Sequence, residues 1–233
     1  MNNVFLVFGY GVPKDILKDE NYNLYLKTVF NKIYDFVVKS KAAKPLIIFC
    51  GGETDMFRPY KRNEADEMIK FFRALLKQRP FLKNLTKNWA FVSENKSLST
   101  LENLLNSKKI ILGRKVKKAD VFIFSEQTRE KRINILAKKI FHKNYRIQIM
   151  PVDFDVSKNR YLPNDFLEKK EKLELDHSLW ALKSPKNLKK HHRLFEEKME
   201  YLRKAGPKVH TNAMKKWWIQ KLKEVKMDTN KGW

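Results

Sequence analysis

The densest run of hydrogen-bonding side chains follows a short apolar stretch and reads Ser-Glu-Asn-Lys-Ser-Leu-Ser-Thr-Leu-Glu-Asn, starting at Ser93. Carboxylates such as Glu94 and Glu102 can act as general bases or bind substrate hydroxyl groups. A helix that begins near Ser99 would explain Ser99 and Glu102 as a capping box. Capping does not explain Glu94, Ser97 or Asn103. We therefore predict a site here, formed by Glu94, Ser97, Thr100, Glu102 and Asn103.

Two glycine loops are a second feature, Gly9-Tyr-Gly11 and Cys50-Gly51-Gly52-Glu53. Glycine lets the backbone approach a ligand closely and can leave N–H groups for an anion. Neither loop is a nucleotide fingerprint, because Lys14 stands where a third glycine is needed and no GxxxxGK[ST] segment occurs. We predict that Gly9, Gly11, Gly51 and Gly52 bind a ligand, with tight turns as the alternative.

Charged residues at two predicted helix starts are the remaining candidates for a binding site. Arg129, Lys131 and Arg132 crowd one first turn, where the helix dipole disfavours cations. Either nearby glutamates or a bound phosphate or carboxylate would compensate, and Arg129 and Arg132 offer bidentate contacts to such an anion. Glu64 opens another helix, which Asn63 can cap and where a carboxylate is also favoured by the dipole alone.

The elements that position these loops alternate along the chain. Five short apolar runs read as buried strands: Val4–Phe8, Leu46–Cys50, Ala90–Val92, Val121–Phe124 and Ile147–Val152. Helix-period stretches separate them. Continuous apolar strands covered by amphipathic helices are typical of a parallel sheet. We predict an α/β domain over residues 1–155, a Rossmann-like three-layer sandwich with a mostly parallel five-stranded sheet, and a site at the carboxyl ends of its strands.

These loops together resemble the domain of unknown function shared by the bacterial YdcF, SanA and ElyC proteins. The resemblance covers about residues 3–155 and rests on the segments VFLVFGYG, IIFCGGET, NEADEM, ENKSLSTLENL and VFIFSEQTREKR. It implies one pocket lined by Gly51, Gly52, Glu64, Glu94, Ser97, Thr100, Glu102, Asn103 and Arg132. It also implies S-adenosylmethionine as a possible cofactor. Arg129 stands where the family has a histidine, and an arginine cannot act as a general base.

Residues 156–233 have a different pattern, with helices predicted near 164–177, 187–204 and 212–226 and no further strand. The last of these is basic and amphipathic. It can dock on the first domain, which is the commonest fate of such a helix. Alternatively, residues 207–233 can bind nucleic acid or anionic membrane.

Composition indicates which partners and which cellular location fit this chain. The net charge of +24 suits anionic partners, but the basic residues are mostly Lys, whereas phosphate recognition favours Arg. The single cysteine, Cys50, favours the cytosol, and the apolar run at Val4–Phe8 is too short to span a membrane. We predict a cytoplasmic protein without an integral membrane segment or a metal site.

The first hypothesis is a domain that binds an anionic or nucleotide-like small molecule. If it is an enzyme, Glu94 and Glu102 are the candidate catalytic residues, and the class is a phosphoryl or nucleotidyl hydrolase or transferase. The second is a non-enzymatic module that binds nucleic acid or anionic membrane through its basic C-terminal helices.

Overall fold

The computed structural model describes residues 2–40, 44–153 and 164–228. Its strands are β1 (Asn2–Phe8), β2 (Leu46–Cys50), β3 (Ala90–Glu94), β4 (Ala119–Glu126) and β5 (Tyr145–Val152). Its helices are α1 (Glu20–Ser40), α2 (Glu64–Gln78), α3 (Pro80–Leu85), α4 (Thr100–Gly113), α5 (Glu130–Ile140), α6 (Asn164–Ala181), α7 (Pro185–Ala205) and α8 (His210–Asp228). The described part falls into two compact units, Met1–Asp55 with Tyr60–Val156, and Met56–Pro59 with Ser157–Trp233.

The first unit is built on a five-stranded sheet in the order β3-β2-β1-β4-β5, and every strand pair is parallel. The helices α1 and α2 contact each other, as do α4 and α5. Right-handed crossovers place these two pairs on opposite faces of the sheet. The predicted α/β three-layer sandwich is therefore confirmed, and the sheet is fully parallel rather than mostly so.

Burial explains why the strands read as continuous apolar runs. All five residues of β2 are buried, and β1 is buried from Val4 to Phe8. On one face, Phe5 stacks on Phe122 with ring centroids 5.1 Å apart, and Phe49 meets Phe72 of α2 edge to face. Both faces of a parallel sheet must be covered by helices, so alternation with polar residues is absent.

Local signals set the helix starts as the sequence predicts. Asn63 caps α2, because its side chain accepts the Asp66 N–H at 2.7 Å. Ser99 caps α4 in the same way through the Glu102 N–H. The short helix α3 was not predicted, since Pro80 at its first position was the only signal.

The second unit contains the three predicted C-terminal helices, α6, α7 and α8. Ser184 caps α7, and Gly206 with φ of 84° ends it. Trp218 of α8 is buried, with its ring 6.4 Å from Phe195 of α7. The apolar faces of these helices thus pack inside their own unit. Docking of this helical part on the first unit stays a prediction, and the predicted boundary at residues 155–156 lies outside the described residues.

Candidate functional site

The loops after β1, β2 and β4 meet at the carboxyl edge of the sheet. The Gly9 N–H donates to the carbonyl of Cys50 at 3.0 Å. From the other side, Arg129 Nη1 donates to the carbonyl of Gly9, also at 3.0 Å. The strand order reverses between β1 and β4, so the guanidinium lies where ligands bind in doubly wound sheets.

Glu64 lies between the two glycine loops. Its side chain is so close that a Cβ atom on Gly51 would stand 2.5 Å from Glu64 Oε2, and a Cβ on Gly9 would overlap the same carboxylate. Thr54 Oγ1 donates to Glu64 Oε1 at 2.6 Å. The glycines are therefore needed here because they make room for a buried carboxylate.

This geometry corrects one part of the sequence interpretation. We expected glycine N–H groups to be available to an anion, but Gly9, Gly51 and Gly52 donate theirs to the main-chain carbonyls of Cys50, Glu94 and Ser97. The N-terminus of α2 is occupied as well, because the N–H groups of Glu64 and Ala65 bind the carbonyls of Gly52 and Gly51. An anion at this edge therefore has to be held by side chains or by another helix start.

The loop after β3 contains a buried polar network. Ser97 Oγ is within hydrogen-bond distance of both Glu94 Oε2 and Asn103 Oδ1. Glu94 Oε1 accepts from the Lys96 N–H and from Asn106 Nδ2, each at 3.1 Å. The predicted trio of Glu94, Ser97 and Asn103 is thus brought together, and all three side chains are buried.

The pKa of Glu94 is affected by its burial and by this network. Burial raises the pKa of its carboxyl group, and the hydrogen bonds from Ser97, Lys96 and Asn106 only partly oppose that rise. A serine hydroxyl has one proton and cannot donate to two acceptors. Two arrangements satisfy these groups: a protonated Glu94 that donates to Ser97, or an Asn103 amide turned so that its Nδ2 donates to Ser97 while Ser97 donates to the carboxylate of Glu94.

Glu102 has the capping role that was the alternative explanation. Its N–H donates to Ser99 Oγ at 3.3 Å, and its carboxylate accepts the Leu98 N–H at 2.7 Å. Thr100, the first residue of α4, is buried. The structure thus explains Glu102 by its helix start, and a catalytic role for it stays a prediction.

The cations at the start of α5 occupy three different environments. Arg129 reaches back to β1, Arg132 is buried with 4% of its surface exposed, and Lys131 is exposed. Glu126 accepts hydrogen bonds from the N–H and the hydroxyl of Thr128. One of the glutamates that we considered as compensation therefore supports the turn before α5.

Tyr25 shows how these charges converge. Its hydroxyl is fully buried and donates to the carbonyl of Phe8 at 2.9 Å. Burial raises its pKa, Arg129 acts to lower it, and both Glu64 and Glu126 raise it further. Opposite charges from the segment that follows β2 and from the end of β4 and the turn after it thus surround the end of β1.

Sequence reasoning missed several residues that hold this edge together. Asp55 and Arg62 form a two-point ion pair, with Nη2–Oδ1 at 2.8 Å and Nε–Oδ2 at 3.0 Å. Arg62 Nη1 also donates to the carbonyl of Pro13 at 3.0 Å, which ties the first glycine loop to the second. Tyr22 closes the first loop by donating to the Gly11 carbonyl at 2.6 Å. Their spacing follows no motif, so no sequence signal could have found them.

Other chemistry is not supported at this edge. Burial raises the pKa of the Cys50 thiol, which lies 3.1 Å from Ser107 Oγ, so a reactive thiolate is disfavoured. Within the described residues, no group of three or more His, Cys, Asp or Glu side chains could hold a metal ion. Among the helices of that same part, none has the length and apolar character to cross a membrane.

No family model, curated protein or solved structure matches the chain.

Proposed function

We propose that the first unit binds an anionic, nucleotide-like small molecule at the carboxyl ends of β1, β2 and β4. The contact between Arg129 Nη1 and the Gly9 carbonyl carries this proposal. This contact holds the guanidinium at the point where the strand order reverses, which is where ligands bind in doubly wound sheets. An arginine fork is well suited to a phosphate or carboxylate.

The position of α5 adds a second favourable element. Arg129 immediately precedes α5, whose N-terminus carries partial positive charge. The N–H groups at the start of α2 are used within the protein, as are those of three glycines. Side chains near α5 are therefore the best anion-binding groups at this edge.

Glu64 supports the nucleotide-like part of the proposal. A buried carboxylate near an arginine suits a ligand that combines an anionic group with hydroxyl or amino donors. Nucleotides, sugar phosphates and S-adenosylmethionine all have this combination, and the last is also implied by the resemblance to the YdcF, SanA and ElyC proteins. That resemblance stays part of the proposal.

Binding is proposed without a reaction. The carboxyl group of Glu94 is buried and bonded to its own loop, which favours a role in holding the site. Hydrolysis or transfer of phosphoryl or nucleotidyl groups is the reaction to assay once a ligand is known. A cytoplasmic location also stays a prediction.

A thermal-shift screen tests the proposal with AMP, ATP, S-adenosylmethionine, glucose 6-phosphate and inorganic phosphate. A ligand at 100 times its Kd should stabilise the fold by about 2.7 kcal/mol. Arg129→Gln should reduce this shift by at least half, whereas Arg114→Gln, an exposed arginine after α4, should leave it unchanged. No shift with any compound, or equal loss in both variants, would contradict the proposal.

A further inference from the structure

A second charged surface lies in the second unit, on the first turns of α7. Five exposed basic side chains, one just before α7 and four on it, form what we call the cationic stripe: Lys183, Lys186, Lys189, Lys190 and Arg193. Between residues 182 and 195 the sequence has no Asp or Glu. The stripe therefore carries a local positive charge that carboxylates within that stretch do not balance.

The stripe lies on the side of α7 opposite its buried face. Four of its members follow the i, i+3, i+4, i+7 spacing that puts side chains on one helix face. The buried residues of α7 are His191, Phe195, Met199 and Leu202. Helix periodicity puts these about 180° from the four cations. The lysines thus make no contribution to the packing of the unit.

The helix dipole gives no reason for a cation at the start of α7. Lys186 lies in the first turn of α7, where the dipole disfavours positive charge and where no acidic residue occurs. Within the part of the chain that the structure describes, the four lysines form no ion pair, and Arg193 pairs only with Glu197 at 3.3 Å. An external anion would explain their position.

Another exposed basic cluster differs in this respect. Arg114, Lys117 and Lys118 follow the C-terminus of α4, where the helix dipole favours cations. That effect applies to Arg114, which directly follows α4, while Lys117 and Lys118 lie in the loop that leads to β4. This second cluster has the same kind of charge and exposure, and it therefore provides a matched control for the stripe.

The surroundings of the stripe favour a nucleic acid over a membrane. An interfacial helix needs an exposed apolar face, but Phe195 and Met199 of α7 are buried, as are Trp217 and Trp218 of α8. From Lys186 to Arg193 the helix rises about 10 Å. Phosphates follow one another at about 3.4 Å along the axis of each DNA strand, so the stripe can meet several of them.

We propose that the cationic stripe of α7 binds the phosphate backbone of a nucleic acid. Its residues differ from those of the small-molecule site of the first unit, and they precede in sequence the segment 207–233 to which the sequence interpretation gave that role. The contacts are to phosphates, so binding is independent of base sequence and falls steeply with salt.

Fluorescence anisotropy with the full chain tests the proposal, using a labelled 20-base-pair DNA duplex and a 20-nucleotide RNA between 50 and 200 mM NaCl. The stripe variant is Lys186→Gln with Lys189→Gln and Lys190→Gln. The matched control is Arg114→Gln with Lys117→Gln and Lys118→Gln, and a second is Lys215→Gln with Lys216→Gln and Lys223→Gln in α8. All three variants lose three charges, and their thermal unfolding is compared to verify folding.

We expect the stripe variant to bind at least tenfold more weakly at 100 mM NaCl. Its plot of log K against log salt should become less steep, with the magnitude of the slope smaller by about 2 to 3. The affinity of each control variant should stay within threefold of that of the parent chain. Equal losses in the Arg114 control would show a mere effect of net charge, and loss only in the α8 control would return the role to residues 207–233. Either result would overturn the proposal. It would also be overturned if the chain bound neither polymer, or if it bound only phosphatidylserine vesicles. Arg129→Gln should bind nucleic acid normally, which separates this test from that of the small-molecule site.

Discussion

Arg129 Nη1 donates to the carbonyl of Gly9 at 3.0 Å, although 120 residues separate the two along the chain. The bond joins the end of β1 to the turn after β4, across the point where the strand order reverses. Gly9 is also the residue against which Glu64 packs. The main elements of the proposed site therefore meet at one residue without a side chain.

Replacement of Gly51 by alanine should be strongly destabilising. The new Cβ would lie 2.5 Å from Glu64 Oε2, and Gly51 has φ of 148°, where residues with a Cβ are strained. We expect the free energy of unfolding to fall by about 2 to 4 kcal/mol in urea denaturation. Gly113→Ala is the matched control, because no atom lies within 4 Å of its added Cβ. Equal stability of the two variants would show that Glu64 does not occupy this position.

Glu94→Gln should preserve the fold and change its pH dependence. The pKa of Glu94 is higher in the fold than in the unfolded chain. The protonated carboxyl group therefore adds fully to the stability of the fold below the pKa of the unfolded chain, and this contribution is lost as the pH rises through the pKa in the fold. Glutamine can donate to Ser97 as the protonated acid does. The variant should therefore match the parent chain at pH 4 and exceed its stability at pH 8.

Glu94→Leu provides the contrast to that variant. Leucine leaves Ser97 and Asn106 without the hydrogen-bond partner that Glu94 provides. The free energy of unfolding should therefore be lower by about 2 to 3 kcal/mol at every pH. Chemical denaturation of the three proteins between pH 4 and pH 8 measures these differences. If glutamine is as damaging as leucine at pH 8, the carboxylate rather than the acid is the form present in the fold.

The ion pair between Asp55 and Arg62 should be coupled in a double-mutant cycle. Asp55 is 1% exposed, so Arg62→Ala leaves a buried carboxylate without its two-point partner. We expect Arg62→Ala to lower the free energy of unfolding by about 2 kcal/mol. The double variant Asp55→Ala with Arg62→Ala should lower it by less than the sum of the two single changes. Additive effects would contradict a direct interaction.

The paired histidines of the second unit should make it sensitive to acid. Nδ1 atoms of His177 and His191 lie 2.8 Å apart, and burial lowers the pKa of His177 to about 4. Because the pKa of His177 in the fold is below its pKa in the unfolded chain, the contribution of His177 to stability is complete above about pH 6.5. As the pH drops from 6.5 to 4, the free energy of unfolding should decrease by up to about 3 kcal/mol. His177→Gln should flatten this decline in far-ultraviolet circular dichroism melts. An unchanged decline would contradict the lowered pKa.

The fold and the starts of α2 and α4 could be predicted because their signals are local. Five apolar runs, the caps Asn63 and Ser99 and the box completed by Glu102 all depend on neighbours within a few residues. The trio of Glu94, Ser97 and Asn103 was found for the same reason, since the two hydrogen bonds of Ser97 within it join residues at most six positions apart.

The remaining features depend on contacts between distant segments. Arg129 meets Gly9, and Arg62 ties the first glycine loop to the second, only after the sheet has formed. The glycine amides were misjudged on the same ground, because their partners Cys50, Glu94 and Ser97 are brought to them by neighbouring strands. Sequence spacing cannot show which donors the fold will occupy.

The most direct test of the small-molecule site is nuclear magnetic resonance of protein labelled with ¹⁵N only at its seven glycines. Titration with a compound that gives a thermal shift should move the amide resonances of Gly9, Gly11, Gly51 and Gly52 and leave those of Gly113 and Gly206 in place. In Arg129→Gln the same additions should cause much smaller changes. A ligand that moves only Gly113 or Gly206, or a panel that moves none of the four, would contradict a site at this edge of the sheet.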